Sequence, residues 1–411
     1  MAQQISTTGS QPAAAISPAR QRITTLDVLR GFAIFGILIV NMLWFSGVRS
    51  FAINAELQWI GFGDRVVLWF IQFFAEGKFF SMFSFLFGLG FAMQMQRAET
   101  RGVRFASFFS RRMLILFLFG VAHALLLSAG DILISYALLG FVLLLFRKRS
   151  NKTLLIAAGI CLLLPVLSTM ASGPPPEITP ETESYYGPTA QEIARIYSTG
   201  TFLEVARHRA SEAIGYLFGV IFSLAYNIFA MFLLGLYAQR IGLFQNISSH
   251  LPLVRKVLWW GLGLGVVGNL VHVIETERAV LAFWPGPLGI FAFTVGAPAL
   301  CLFYIAGITL LLQKTEWQKR LAPLASVGRM ALTNYVLQSL ICSLLFNGYG
   351  FGLYNRVSPL AGLGLTVLIF LLQIPLSVWW LRRFRFGPLE WVWRSLTYGQ
   401  RQPLQPLSQS L

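Results

Sequence analysis

Charged residues are scarce in this chain of 411 residues. They make up 12% of it while apolar residues make up 56%, and a soluble globular domain is roughly one-quarter charged. This scarcity excludes an ordinary soluble enzyme or binding module. Cysteine is rare as well. The three cysteines stand far apart in apolar runs without a CxxC pair, so the sequence indicates neither a disulfide framework nor a metal site.

The apolar residues are gathered into ten runs, each long enough to cross about 30 Å of hydrocarbon as a helix. The pattern predicts an all-α, polytopic integral membrane protein with about ten transmembrane helices. Interfacial amphipathic helices are expected at 58–75 and 386–398, where aromatic and charged residues mix. The predicted spans cover residues 29–47, 79–97, 112–128, 131–148, 153–170, 214–239, 256–274, 287–313, 322–346 and 359–381.

A single transmembrane domain is expected over residues 22–403. Residues 1–21 are mostly small and polar and are predicted to form a disordered cytoplasmic tail, and residues 404–411 a flexible C-terminal tail. The segment 171–213 is predicted to be an extracytoplasmic helical insertion. It contains two capping-box patterns typical of helix starts, at 189–192 and 201–204.

Basic residues are distributed unevenly between the two sides of this arrangement. Of the 32 Lys and Arg residues, 24 fall on the side that holds both termini. By the positive-inside rule, that side is the cytoplasmic one. The net charge of +16 therefore indicates topology and an attraction to anionic membrane lipids rather than a nucleic-acid surface. We expect a multi-pass protein of the cell (inner) membrane with both termini cytoplasmic.

Polar residues mark the predicted inner end of two spans. Asp27 and Arg30 are three residues apart, so they share a helix face and are expected to pair, and Asn41 follows deeper in the same span. Arg329 and Asn334 repeat this chemistry in a later span. Arginines at this depth suit the phosphates of a donor molecule. The competing interpretation is that the arginines contact lipid headgroups and the asparagines bond neighbouring helices.

A second group of polar residues lies toward the predicted outer side. Glu76 and Lys78 mark the outer mouth of the second span, His123 lies inside the third span near its outer end, and Asp131 opens the fourth. A neutral imidazole in a dry site takes a proton without first burying a charge, so His123 is the candidate general base and Asp131 its orienting partner. The alternatives are an interhelical hydrogen bond for His123 and a helix cap for Asp131.

Four stretches together resemble one family: Leu26–Asn41, Glu76–Gly90, Gly120–Gly140 and Phe386–Tyr398. On these residues the chain is identified as a member of the YeiB family of bacterial membrane proteins, also called domain of unknown function 418. The first span is also distantly similar to that of transmembrane acyltransferases, such as heparan-alpha-glucosaminide N-acetyltransferase and the bacterial polysaccharide acyltransferases.

The second resemblance implies an acyl-CoA co-substrate held from the cytoplasm, no bound cofactor, and a sugar, glycan or lipid acceptor outside. The bacterial polysaccharide enzymes carry a histidine eleven residues after their arginine, where this chain has Asn41, and residues 42–78 hold no histidine. His123 then remains as the base.

The leading hypothesis is a transmembrane acyltransferase. Its expected site residues are His123 and Asp131 for catalysis, Arg30, Asn41, Arg329 and Asn334 for the donor, and Glu76 and Lys78 on the acceptor side. Two alternatives stay open: a transporter or flippase for a small lipid or cell-envelope precursor, and a non-catalytic membrane scaffold. The absence of an inverted repeat and of a chain of intramembrane carboxylates counts against transport. A homodimer is expected because glycines at 261–268 invite close helix contact.

Overall fold

The computed structural model describes residues 18–49, 59, 61–100, 102, 104–172, 190–222, 224–282 and 286–405. These residues form sixteen helices and no strand. The helices are α1 (Pro18–Phe45), α2 (Phe62–Phe74), α3 (Lys78–Thr100), α4 (Phe105–Leu126), α5 (Leu133–Phe146), α6 (Asn151–Ser172), α7 (Ala190–Thr199), α8 (Phe202–Phe222), α9 (Leu224–Arg240), α10 (Ile247–Ala282), α11 (Gly286–Leu311), α12 (Thr315–Arg320), α13 (Ala322–Arg329), α14 (Ala331–Phe346), α15 (Pro359–Arg383) and α16 (Pro388–Tyr398).

The all-α polytopic fold is confirmed. Every predicted span contains a helix, and within the described residues seven helices are long and apolar enough to cross a membrane. An eighth candidate is the pair α13 and α14, which together pass the same test but meet at a bend of 81°. Of the other two predicted spans, 214–239 corresponds to the end of α8 and the 17 residues of α9, and 131–148 corresponds to α5. The 14 residues of α5 rise only about 21 Å, less than the hydrocarbon thickness, so α5 alone does not cross it.

The centre of the bundle is built on α1 and α3. Small residues set how closely their neighbours approach, because a missing side chain lets two helix backbones touch. Gly88 of α3 and Gly235 of α9 face each other's helices, and a Cβ on either would overlap a backbone carbonyl of the other. Gly328 meets the backbone of Asp27 in the same way and fixes α13 against the first turns of α1. These contacts place Arg30 and Arg329 at one end of the molecule.

The glycines on which the homodimer prediction rests make contacts within the same chain. A Cβ on Gly261, Gly265 or Gly268 would lie 2.7–2.8 Å from backbone atoms of α11, so this face of α10 packs against its own neighbour. The opposite face carries Trp259 and Trp260, which are 67% and 70% exposed and face lipid in a membrane-spanning helix. The homodimer stays a prediction, without support from these glycines.

The interfacial helices form, but one of them does more than predicted. Helix α2 has the expected amphipathic character. In α16, Glu390 accepts hydrogen bonds from the first turn of α14. Trp393 packs on Arg112, with its ring centre 3.6 Å from the guanidinium carbon.

Part of the predicted organisation falls outside the described residues. This applies to residues 1–17, to 173–189 within the predicted insertion, and to 406–411 of the C-terminal tail. The second capping box is present, because the Thr201 amide and hydroxyl both donate to the Glu204 carboxylate, at 2.7 and 2.8 Å. These hydrogen bonds hold the pKa of Glu204 below its usual value.

Candidate active site between two cavities

Two cavities lie one after the other along α1. The first, here called the Arg30 cavity, has a volume of about 270 Å³ and is lined on α1 by Arg30, Ile34 and Ile37. The second, here called the Glu76 cavity, has a volume of about 220 Å³ and continues along α1 from Ile37 to Phe45 and on to Arg49 beyond its end. The eleven residues from Arg30 to Asn41 rise about 16 Å, so the two cavities occupy opposite halves of the bundle.

The cavities approach each other at three residues. Ile37, Ile132 and Tyr335 line both of them, from α1, from the turn before α5 and from α14. Tyr335 is 5% exposed and stacks on the ring of His123, with 4.8 Å between ring centres. A thin partition of side chains therefore separates the two spaces, and His123 lies directly beside it.

The Arg30 cavity is strongly basic. Four arginines and a single carboxylate, that of Glu390, are found among the described residues that line it. Arg30 pairs with Asp27 at 2.7 Å, as the three-residue spacing predicts. The other arginines are Arg112, Arg329 and Arg394. A dense set of guanidinium groups suits a ligand with several phosphate oxygens, because each group offers a fork of donors.

Glu390 completes the first turn of α14. Its Oε1 atom accepts the amides of Leu332 at 2.7 Å and Thr333 at 3.1 Å, and its Oε2 atom contacts the Thr333 hydroxyl at 2.5 Å. The first amides of a helix have no hydrogen-bond acceptor within that helix. In α14 the acceptor is the carboxylate of Glu390, almost sixty positions later in the chain. Burial raises the pKa of Glu390 above its usual value, although the hydrogen bonds from Thr333 and Leu332 act in the opposite direction.

The Glu76 cavity combines ion pairs with aromatic and amide side chains. Glu76 pairs with Arg49 at 2.7 Å. On α8, the Glu212 carboxylate accepts a hydrogen bond from Tyr197 and lies 3.1 Å from Nε2 of His208. The lining also includes Asn41, Trp44, Tyr216, Asn347 and Tyr354. Such a lining suits a ligand with several hydroxyl groups, since it offers both aromatic ring faces and hydrogen-bonding groups.

Arg209, also on α8, closes this cavity from above while remaining 2% exposed. Its guanidinium donates to the backbone carbonyl of Leu126 at 2.7 Å and to Oγ of Ser343 at 3.0 Å. These bonds tie α8 to the ends of α4 and α14. The predicted insertion thus contributes side chains to the Glu76 cavity.

His123 and Asp131 come together beside the partition. Nδ1 of His123 and Oδ1 of Asp131 are 2.9 Å apart, but the pair is not aligned as a hydrogen bond. Nε2 of His123 lies 2.8 Å from Oγ of Ser339 on α14. The imidazole is 3% and the carboxylic residue 2% exposed. Catalytic contacts are often loose in the absence of substrate, and this arrangement can hold and move a proton.

Three of the predicted site residues lie elsewhere than expected. Asn41 lines the Glu76 cavity rather than the donor end with Arg30, because its distance along α1 carries it into the other half. Asn334 is buried in helix contacts, donating to the Val327 carbonyl at 3.1 Å and to Ser377 at 3.0 Å. Lys78 is fully buried, and its ammonium group donates to the backbone carbonyl of Gln72 at 2.7 Å. Lys78 is the first residue of α3 and so lies at the end of its span, as predicted, but it is not among the described residues that line the Glu76 cavity.

Several residues of the site carry no signal that sequence reasoning recognised. Ser339 and Tyr335 are one helical turn apart in an apolar run, where serine and tyrosine are ordinary. Arg112 and Arg394 stand in the sequence as ordinary members of basic segments. A helical wheel of α14 places Ser339 and Tyr335 on one face with Ser343, and that polar stripe was the available clue.

The comparisons with known proteins agree on one family. A family model described as "Protein of unknown function (DUF418)" matches residues 238–400. An uncharacterized protein of Bacillus subtilis, YxaH, is 36% identical over 402 residues, which cover 93% of this chain and 96% of that protein. An uncharacterized protein of Escherichia coli, YeiB, is 30% identical over 399 residues, covering 93% of this chain and 98% of that protein. The matched region of the family model includes α13, α14 and α16, and so Arg329, Ser339 and Glu390.

Proposed function

The chain belongs to the DUF418 family of membrane proteins of unknown function, and we propose that it is a transmembrane acyltransferase. The donor is an acyl-CoA or a similar thioester with phosphate groups, bound in the Arg30 cavity. The acceptor is a hydroxyl- or amine-bearing sugar, glycan or lipid in the Glu76 cavity. The observation that carries the proposal is the meeting of the two cavities at Tyr335, beside the buried pair of His123 and Asp131.

The charges of the two cavities support this direction of transfer. The four arginines of the Arg30 cavity favour a polyanionic donor over a neutral acceptor. The mixed lining of the Glu76 cavity favours a neutral polyhydroxyl group. Because basic residues concentrate on the predicted cytoplasmic side, we assign the Arg30 cavity to the cytoplasm and the Glu76 cavity to the outside of an inner membrane.

The chemistry needs few groups. An acceptor hydroxyl or amine attacks the thioester carbonyl, His123 takes the proton that the acceptor loses, and the thiolate leaves and recovers a proton from the imidazole. Asp131 faces the other ring nitrogen and stabilises the imidazolium in between. Burial excludes water, which would otherwise hydrolyse the thioester.

Donor binding is tested first. Acetyl-CoA should raise the melting temperature of the purified protein in lipid nanodiscs, since a ligand that binds only the folded state stabilises it. Changing both Arg30 and Arg329 to Gln should remove that shift without lowering expression. Arg320→Gln is the matched control, because Arg320 is 61% exposed in a surface pair with Glu316. A shift that survives in the double variant would place the donor elsewhere, and no shift in the parent would count against the whole proposal.

Transport is the second candidate, and the break between α13 and α14 is the observation that favours it. Discontinuous helices bind substrates at the midplane of many transporters. In this chain, however, the first amides of α14 are already bonded by Glu390, so they are not free for an anionic substrate. Transport would be favoured if acetyl-CoA neither shifts the melting temperature nor loses its acyl group, while vesicles containing the protein move a lipid or glycan precursor.

A further inference from the structure

Ser339 lies against the imidazole of His123, and none of the preceding steps uses it. We infer that Ser339 is a nucleophile that carries the acyl group between the two cavities as an ester, with His123 and Asp131 completing a catalytic triad. The identity of the donor in this step rests on the proposed function. The basis is geometric: the order carboxylate, imidazole, hydroxyl is traced by contacts of 2.9 Å and 2.8 Å among three buried residues.

The carboxylate of Asp131 is held in place by a hydrogen bond to its other oxygen. Oδ2 of Asp131 accepts the amide of Ile134 at 2.8 Å, which turns Oδ1 toward the imidazole. Gly120 on α4 leaves the room for this arrangement, because a Cβ there would lie 2.8 Å from Oδ2 of Asp131 and 2.7 Å from the Ile134 nitrogen. The helix cap foreseen for Asp131 and its contact with His123 therefore coexist, one on each carboxylate oxygen.

The proposed step requires one tautomer of the imidazole. In it, Nδ1 of His123 carries the proton on the side of Asp131. Nε2 then presents its lone pair to Ser339, whose hydroxyl donates to it. This is the protonation state that a general base needs in order to activate a serine.

Ser339 also differs from a serine that merely returns its hydroxyl to its own helix. The hydroxyls of Thr309 on α11 and Thr366 on α15 are of that kind and donate to the carbonyl four residues earlier at 2.7 and 2.9 Å. The equivalent distance from Ser339 to the Tyr335 carbonyl is 3.2 Å, longer than its 2.8 Å contact with His123. The shorter contact identifies the imidazole as the main partner of this hydroxyl.

Tyr335 stands between this serine and both cavities. Tyr335 lies one turn before Ser339 on α14, lines both cavities and stacks on His123. Movement of one tyrosine side chain would bring the serine and imidazole into contact with either space. A nucleophile at a shared partition is suited to receive an acyl group from one side and release it to the other.

The reaction has two balanced halves. In the first, Oγ of Ser339 attacks the thioester carbonyl carbon and its proton passes to Nε2 of His123; the carbon–sulfur bond breaks, and the leaving thiolate takes that proton. In the second, the acceptor hydroxyl or amine attacks the ester carbonyl and gives its proton to Nε2; the bond to Oγ breaks, and Ser339 recovers the proton. The histidine ends each half as it began.

A fluorophosphonate probe tests the nucleophile independently of any donor, because it reacts with activated serines. Peptide mass spectrometry of the full-length protein in nanodiscs should find the probe on Ser339. Labelling should fall to background in Ser339→Ala and by at least about a hundredfold in His123→Gln, which cannot accept the proton. Ser81→Ala is the matched control, since Ser81 is also a buried helical serine, and it should keep full labelling.

Acetyl-CoA then tests the ester itself. Incubation should add one acetyl group to the intact protein, hydroxylamine should remove it, and Ser339→Cys should still be acylated as a thioester. If the folded parent is neither labelled nor acylated, or if Ser339→Ala transfers the acetyl group at the parental rate, the covalent step is refuted and only direct transfer remains. Labelling by the probe without any response to acetyl-CoA would keep the nucleophile and refute the proposed donor.

Discussion

Replacing Glu390 with alanine should destabilise the bundle from its Arg30 end. The side chain is buried and bonds two amides and one hydroxyl at the start of α14. Alanine removes all of these acceptors, so the donors in the first turn of α14 can then bond only to water that enters the neighbouring cavity. Because α14 carries Tyr335 and Ser339, the loss concerns the helix on which the candidate site is built.

The size of the effect follows from the three bonds. Loss of a helix cap costs about 1–2 kcal/mol, and each buried donor left without a partner costs about 1–3 kcal/mol. Water in the Arg30 cavity will recover part of this, so we expect a net loss of about 2–4 kcal/mol. At roughly 1–2 °C per kcal/mol for a chain of this length, the melting temperature should fall by about 2–8 °C.

Glutamine at the same position separates geometry from charge. Its Oε1 atom accepts the same two amides and its amide nitrogen donates to the Thr333 hydroxyl, so Glu390→Gln should stay within about 2 °C of the parent. Glu316→Ala is the surface control, because Glu316 is 65% exposed and its pair with Arg320 contributes about 0–1 kcal/mol. Thermal scans of the variants in one lipid, at one scan rate, make the comparison. Equal losses for Ala and Gln, or an Ala loss no larger than that of Glu316→Ala, would refute the capping role of Glu390.

The stability that Glu390 contributes should depend on pH. Burial raises the pKa of Glu390 above its usual 4.5, so the folded state binds the proton of this carboxyl group more tightly than the unfolded chain does. The contribution of Glu390 is therefore greatest below pH 4.5 and is lost as the pH rises through the raised pKa. The parent should gain stability relative to Glu390→Gln as the pH falls through that window, and a gain in the opposite direction would contradict the assignment.

Further predictions address packing, topology and the partition. Gly265→Leu should abolish stable folding, because the leucine side chain would overlap the backbone of α11. Gly263→Leu should be tolerated, since no atom lies within 4 Å of the position of its Cβ. Size-exclusion profiles in detergent will distinguish the two variants. In a background without the native cysteines, an impermeant maleimide added outside should label a cysteine at residue 190 but not one at residue 100. Tyr335→Ala should join the two cavities and raise the proton leak of proteoliposomes severalfold, while Tyr335→Phe should keep them sealed.

The elements of the fold could be predicted because the main signal is local. Ten long apolar runs have few other solutions than helices, and the pairing of Asp27 with Arg30 follows from a spacing of three residues. The sequence does not predict the bend after Arg329, because residues 322–346 together are long and apolar enough to be read as one span. Its cause is not local: the amides exposed by the break are bonded by Glu390, far along the chain.

Depth along a helix was easier to predict than direction around it. Lys78 stands at the start of its span, as predicted, but its ammonium group is directed inward to the Gln72 carbonyl. Asn334 was grouped with Arg329 by analogy with Arg30 and Asn41, yet the bend redirects it into helix contacts. The sequence alone gives the order in which polar residues follow one another along a helix axis. The packing of neighbouring helices decides which of these residues face the same cavity.

The candidate site likewise combines residues whose proximity follows from the sequence with residues that are brought together only by helix packing. His123 and Asp131 are eight positions apart across a tight turn, so their proximity was within reach of the sequence. Ser339 is 216 positions from His123 and depends on how α14 is docked. Two turns earlier on the same helix, Glu390 accepts hydrogen bonds from the amides of Leu332 and Thr333. If the cap fixes the register of α14, Glu390→Ala should reduce fluorophosphonate labelling of Ser339 at temperatures where the protein is still folded, and Glu390→Gln should restore it. Unchanged labelling in a destabilised Glu390→Ala protein would mean that contacts further along α14 position the serine by themselves.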